Sequence, residues 1–197
     1  MSDVTIIDSG GANLASLQFA LERLGARTIV THDPQRIAGA ARVLLPGVGA
    51  AGDAMRRLRA HGIDRVIPEI KVPLLGVCLG MQLLFEHSTE DDTACLAVLP
   101  GRIVRLQASI QRPVPHMGWN TLSLKAQDPL LSGLGSSDYV YFVHGYAAPV
   151  TEATLAVVEY GGEFAAVVRR GNFRGVQFHP ERSAAVGARL LRNFLAL

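Results

Sequence analysis

The pentapeptide Gly76-Val77-Cys78-Leu79-Gly80 is the feature that most constrains how this chain can fold. An apolar run, Val72 to Val77, leads into it, and Met81 to Phe85 continues as a helical pattern. A G-x-C-x-G stretch between a buried strand and a helix is the cysteine form of a nucleophile elbow, a tight turn that presents a reactive side chain at the end of a strand. The flanking glycines are needed because a Cβ there would collide with the neighbouring turn. The start of a helix adds partial positive charge beside the sulfur. The amide of Leu79 is then placed to donate to an oxyanion. A buried structural cysteine is the plainer reading of such a residue, but the strand–turn–helix context favours chemistry. Cys95, in Ala94-Cys95-Leu96-Ala97, lacks that context and reads as structural.

The rest of the first half repeats the strand-then-helix rhythm. Val4 to Ile7 reads as strand, and a helical period runs from Asn13 through Leu14, Leu17, Leu21 and Leu24 to a stop at Gly25. Arg27 to Thr31 is strand, Asp33-Pro34 a helix cap, Arg42 to Leu45 strand, and Asp53 to Ala60 helix. The second half predicts short strands at Ile103 to Leu106, Thr121 to Leu124, Tyr139 to Val143, Leu155 to Tyr160, Phe164 to Arg169 and Gly175 to Phe178. A hairpin turn is expected at Glu159-Tyr160-Gly161-Gly162, and a last helix capped by Ser183. The pattern predicts an α/β fold with a mixed, mainly parallel sheet flanked by helices, in one domain over residues 1–197. The length of 197 residues and a hydrophobic share of 49% against 18% charged exclude disorder and suffice for one large core. A net charge of +2 marks neither nucleic acid nor membrane as partner. The most apolar window, Val72 to Phe85, is broken by Pro73, Gly76, Gly80 and Gln82 and falls short of the about 20 residues of a spanning helix. With no targeting segment, and too few cysteines for a disulfide framework, a reducing cytoplasmic setting is expected.

A thiol nucleophile needs a base, and the base needs an orienter. Of six histidines, His32, His61 and His87 sit in polar or turn surroundings, and His116 and His144 in aromatic-rich ones. His179 ends a predicted strand and is followed by Pro180 and Glu181, so a carboxylate two residues on can reach back to one ring nitrogen. No close pair of His or Cys has metal-ligand spacing, and the glycines at Gly10-Gly11 and Gly47 to Gly52 fit neither dinucleotide nor P-loop patterns. No metal or cofactor is expected. Gly47-Val48-Gly49, which follows a strand, can offer backbone amides to an anion, and an oxyanion donor there would complement Leu79.

Taken together, Gly76 to Gln82 and Gly175-Val176-Gln177-Phe178-His179-Pro180-Glu181, in this order and about a hundred residues apart, resemble the nucleophile and His/Glu motifs of the class I (triad) glutamine amidotransferases. The resemblance covers nearly the whole chain and implies a flavodoxin-like glutamine amidotransferase fold. Within the family, Pro46-Gly47-Val48-Gly49, Pro115-His116-Met117-Gly118-Trp119-Asn120 and Tyr141 to Tyr146 are similar to the glutaminase subunits of imidazole glycerol phosphate synthases of histidine biosynthesis. That resemblance implies hydrolysis of glutamine to glutamate and ammonia, with the ammonia passed to a separate (β/α)8-barrel cyclase subunit. The cyclase would use it to convert a phosphoribulosyl-formimino aminoimidazole carboxamide ribotide into imidazole glycerol phosphate and an aminoimidazole carboxamide ribotide. By the same resemblance Cys78 is the nucleophile, His179 the base and acid, Glu181 the orienter, and Leu79 and Val48 the oxyanion donors. Gln82, Glu90, Gly49, Gly145 and Tyr146 would hold glutamine, and His116, Met117, Trp119, Tyr141 and Arg182 would face the cyclase.

Several positions depart from the pattern. Ser9 and Ala12 stand where many relatives have Tyr and Gly, Gly145 where Ser or Thr is usual, and Cys95 and Ala97 where Gly is common. Trp119 and the tyrosines could also be core aromatics, and Arg56, Arg57 and Arg59 a solvated helix face. Rival readings are the glutaminase subunit of another class I amidotransferase, a free-standing thiol hydrolase, and a non-catalytic binding subunit. The intact Cys78, His179 and Glu181 argue against the last.

Overall fold

Short apolar runs alternating with helices give the first half its rhythm. The computed structural model describes residues 3–10 and 14–197. In chain order these hold β1 (Asp3–Ile7), α1 (Leu14–Glu22), β2 (Arg27–Thr31), α2 (Pro34–Ala38), β3 (Val43–Leu45), α3 (Ala51–Ala60), α4 (Ile63–Val66), β4 (Leu74–Val77) and α5 (Leu79–Gln82). The second half supplies β5 (His87–Ser88), β6 (Thr93–Ala94), β7 (Arg102–Arg105), β8 (His116–Thr121), β9 (Ser123–Leu124), β10 (Tyr139–His144), β11 (Tyr146–Ala147), β12 (Thr154–Glu159), β13 (Glu163–Arg170), β14 (Phe173–Val176) and α6 (Ala184–Ala196). The Asn13 helix start and the Gly11 and Ala12 positions lie outside the described residues.

The main sheet runs β2-β1-β3-β4-β14-β13-β12-β9. Its first five strands are parallel and the last three antiparallel. The order β2-β1-β3-β4 is that of the flavodoxin-like doubly wound fold, which binds ligands beyond the carboxyl ends of its strands. Alternate strand residues feed two apolar layers. Ile6, Leu44, Leu75 and Val77 join Leu21 of α1 and Leu190 and Phe194 of α6, while Ile7, Val43, Leu45 and Leu74 join Met55 and Leu58 of α3. A β8–β10 ribbon and a small β11-β7-β5-β6 sheet stand above the carboxyl edge.

Three local expectations need correction. The helix after the elbow is a single turn, Leu79–Gln82, and not a helix over Met81 to Phe85. The carbonyls of Leu83, Leu84 and Phe85 accept from the amides of Leu96, Leu99 and Ala97, so the 95–99 loop takes the groups that would have continued the helix. So short a turn contributes local N–H groups rather than a sizeable macrodipole. Ser183 stands at the start of α6, but its hydroxyl makes no cap; it donates to the carbonyl of His179 at 2.7 Å and accepts from the amide of Tyr141 at 3.0 Å. Strand pairing also covers His116–Thr121, which no strand expectation included beyond Thr121. Gly118 and Asn120 interrupt the apolar alternation there, and pairing with Tyr139–His144 supplies the order instead.

The arginines of α3 are more than a solvated face. Arg57 donates to the carbonyl of Gly10, Arg59 to that of Ala94 at 2.6 Å, and Arg56 pairs with Asp53. The first two bind the loops after β1 and around β6 to the helix.

Candidate active site

The segments that carry the site leave the carboxyl ends of neighbouring parallel strands. Pro46 to Gly49 follows β3, Cys78 follows β4, and His179 is the third residue after β14. Ser9, after β1, is buried and donates to the carbonyl of Pro46 at 3.0 Å. This departure from the family pattern therefore ties two of these loops together.

Cys78 has φ 54° and ψ −114°, a left-side conformation that a non-glycine residue holds only under strain of order 1–3 kcal/mol. The elbow closes so tightly that a Cβ on Gly76 would lie 2.7 Å from the Gly80 carbonyl oxygen, and one on Gly80 would overlap the Leu45 carbonyl. A Cβ on Gly47 would lie 2.7 Å from the Gly80 amide nitrogen, so the loop after β3 is pressed against the elbow.

His179 is buried, and its Nδ1 lies 2.8 Å from Oε1 of Glu181. Cys78 is the other polar group that acts on the ring, and both line the same cavity. Burial alone would push the imidazole pKa down, but the hydrogen bonds and charges of Cys78 and Glu181 outweigh it and raise it to about 10. A base so placed, oriented by a carboxylate and touching a thiol, is the geometry of nucleophilic acyl transfer.

A cavity of about 450 Å³ opens over the sulfur. Val48, Gly49, Cys78, Leu79 and Gln82 line it from the sheet side, Glu90 from the loop between β5 and β6, and Pro115 with Val143 to Tyr146 from the ribbon. Arg182 stands exposed at its rim. Glu90 accepts from the Ala51 amide at 2.8 Å, and burial raises its carboxyl pKa against the pull of that bond. Gln82 spends its amide nitrogen inside the protein, on the Tyr146 carbonyl at 2.8 Å and the Gln177 side chain at 2.9 Å. Only its oxygen end is left to meet a substrate.

The ribbon separates the residues expected at an interface. Met117 and Trp119 are 63% and 51% exposed, with Tyr139 at 58% beside them. Tyr141 lies half-buried, edge-on to the Trp119 ring. His116, grouped with them from the sequence, points the other way and is 3% exposed, stacked between Tyr160 and Phe142. Successive strand residues face opposite sides, so His116 and Met117 cannot share a surface.

His116 pairs with His144, Nδ1 to Nε2 at 3.1 Å, and His144 Nδ1 donates to the Tyr146 carbonyl at 2.8 Å. Burial pushes their pKa values down to about 4 and about 3, so both rings are neutral near pH 7. Cys95 is half-buried, and burial pushes its thiol up to about 11, away from the reactive range. Among the described residues no three His, Cys, Asp or Glu side chains gather as a metal site.

The family model for class-I glutamine amidotransferases matches residues 5–197. The chain belongs to this family. Full-length relatives agree: the imidazole glycerol phosphate synthase subunit HisH of Xanthomonas campestris pv. campestris (strain 8004) is 55% identical over all of this chain and 98% of its own. The subunit of the same name from Xylella fastidiosa (strain 9a5c) is 52% identical over the same shares. Among solved structures, a glutamine amidotransferase superposes with TM-score 0.75 at 24% identity, covering 98% of this chain and 97% of its own. PurLQS from Thermotoga maritima superposes at 0.73 with 19% identity, covering 100% and 99%. These two support the amidotransferase fold. As a member of the family, the protein is a glutamine-hydrolysing enzyme.

Proposed function

We propose that this amidotransferase is the glutaminase subunit of an imidazole glycerol phosphate synthase, with one catalytic domain spanning residues 1–197. The observation that carries the reading is the identity of 55% with a synthase subunit of that name, over the full length of this chain.

The triad geometry then has a direct use. His179 already holds the proton given up by Cys78, and the Cys78 thiolate attacks the side-chain carbonyl carbon of glutamine. The tetrahedral oxyanion is met by the amides of Leu79 and Val48, where losing one donor typically costs about 2.7–4 kcal/mol. His179 returns its proton to the leaving nitrogen, the C–N bond breaks, and ammonia departs from a thioester. His179 next takes a proton from water, whose oxygen attacks the thioester carbon. The C–S bond breaks, the thiolate is restored beside protonated His179, and glutamate leaves. Glu181 holds the ring in one orientation throughout. Glu90 suits the α-amino group of the substrate, and the backbone at Gly49, Gly145 and Tyr146 suits its polar ends.

Ammonia released into bulk water becomes mostly ammonium, which is no nucleophile. The exposed face of the β8–β10 ribbon, with Met117, Trp119 and Tyr139, adjoins the cavity and is the surface on which a (β/α)8-barrel cyclase would dock and receive it. Among the described residues no helix is long and apolar enough to cross a membrane, which fits work in the cytoplasm.

The test is glutamate release from glutamine by the purified chain, alone and with a barrel cyclase carrying its nucleotide ligand, with Cys78→Ala as control. Strong stimulation by the liganded cyclase, lost in Cys78→Ala, is the expected result. Equal rates with and without the cyclase would overturn the reading and point to a free thiol hydrolase or another synthase partner.

A further inference from the structure

Gln177 lies outside the catalytic triad, is fully buried, and does not line the cavity. Its surroundings nevertheless fix which way its amide must point. The Tyr146 carbonyl oxygen is main chain and can only accept. It lies 2.8 Å from one end of the Gln82 amide, so that end is the nitrogen. The same nitrogen lies 2.9 Å from one end of the Gln177 amide, which must therefore be the oxygen. The other end of Gln177 is then the NH2 group, and it lies 3.8 Å from Cys78 Sγ. Backbone pairing holds Gln177 in place, its own amide donating to the Ala166 carbonyl at 2.9 Å. An N–H donor is thus aimed at the sulfur by a chain of polarity that begins at a carbonyl 69 residues along the sequence from Cys78's neighbour Val77.

We propose that Gln177 is a positioning residue for Cys78, holding the sulfur by N–H···S donation and favouring its negatively charged form. The proposal rests on Cys78 being the nucleophile of the glutaminase reaction. Glu181 and His179 act on the far side of the sulfur's proton, whereas Gln177 offers a donor that never leaves. A neutral donor suits this place, since it stabilises negative charge without becoming an acid that competes with His179.

The test follows alkylation of Cys78 by iodoacetamide against pH in the full chain, in a Cys95→Ala background that leaves one thiol. Gln177→Met keeps the length and removes the donor. Gln177→Glu keeps an oxygen toward Gln82 and turns a second one toward the sulfur. The expected result is a profile displaced to higher pH in Gln177→Met, further in Gln177→Glu, and a several-fold slower rate at pH 7. Profiles that coincide with the parent would overturn the proposal. A second measurement needs no variant at Gln177: the side-chain NH2 resonances of Gln177 in the folded parent should move with the pH of Cys78 ionisation and stay still in Cys78→Ala. Resonances that behave alike in both proteins would equally overturn it. Neither readout uses glutamine or a cyclase, so failure here is separate from failure of the glutaminase reading, which Cys78→Ala turnover tests.

Discussion

The backbone amide of His179 donates to the carbonyl oxygen of Tyr141 at 2.9 Å. Tyr141 sits on β10 directly across from Trp119, so the strand that presents the exposed aromatic face also holds His179, the proposed base, by its main chain. The Ser183 hydroxyl closes the same loop, bonding both the Tyr141 amide and the His179 carbonyl. A partner that shifts the ribbon therefore shifts the histidine.

Ser183→Ala tests this link. It strands the Tyr141 amide in a buried place, at a cost of about 1–3 kcal/mol. The urea midpoint should fall accordingly. The kcat for glutamine should drop about tenfold, equivalent to about 1.4 kcal/mol in the barrier, with KM little changed because Ser183 does not reach the cavity. Unaltered kcat in a destabilised protein would show that the loop serves folding alone.

Trp119→Ala addresses the docking face. The ring is half exposed and leaves no buried hole, so the unfolding free energy should stay within about 0.5 kcal/mol of the parent. Cyclase affinity, read by calorimetry, should weaken by about 2 kcal/mol or more if Trp119 is an interface anchor. Full affinity in this variant would move the interface elsewhere.

The triad also sets a pH dependence of stability. His179 keeps its proton in the folded protein up to about 10, whereas a histidine in the unfolded chain loses it near its usual 6.5. Its contribution is complete below pH 6.5 and is lost as pH rises through that window to about 10. Glu181→Gln removes one of the charges that raise the ring. Denaturant midpoints measured from pH 6 to pH 10 should fall less steeply in Glu181→Gln than in the parent.

Backbone fit gives a paired prediction of opposite sign. Gly80→Ala must push the elbow away from Leu45 and should cost about 3 kcal/mol or more, with glutamine turnover lost. Ala97, by contrast, sits at φ 54°, where a side chain is disfavoured by roughly 1–2 kcal/mol. Ala97→Gly should raise stability by about 0.5–1 kcal/mol after the glycine's own entropic cost, with turnover unchanged. Unfolding curves for the two variants check both.

Much of this architecture was legible in the sequence because its signals are local. The elbow announces itself through Gly76, Cys78 and Gly80, whose spacing follows from one tight turn. Asp33-Pro34 caps α2 as written, with Asp33 accepting from the Gln35 amide at 2.9 Å. What escaped is what depends on distant partners. Ser183 reads as a helix cap until β10 is known to pass beside it. The resemblance sets His116 beside Trp119 toward the cyclase, whereas the register of the ribbon turns its ring inward onto Tyr160. Arg57 reads as solvated until the loop after β1 is folded beneath it. Gln177 sits inside a recognisable motif, but only the meeting of β4, β11 and the end of β14 shows which way its amide faces.

The Tyr146 carbonyl, shared by Gln82 and His144, also bears on how this site can drift over time. It is an atom that every amino acid carries, so exchange of residue 146 leaves the acceptor in place. The anchor of two hydrogen-bond branches, one ending at the sulfur and the other at His116, is thus shielded from point mutation, while the amides and rings that read it are not. Damage to the network from within should accordingly map to positions 82, 116, 144 and 177, and seldom to the residue whose oxygen organises them.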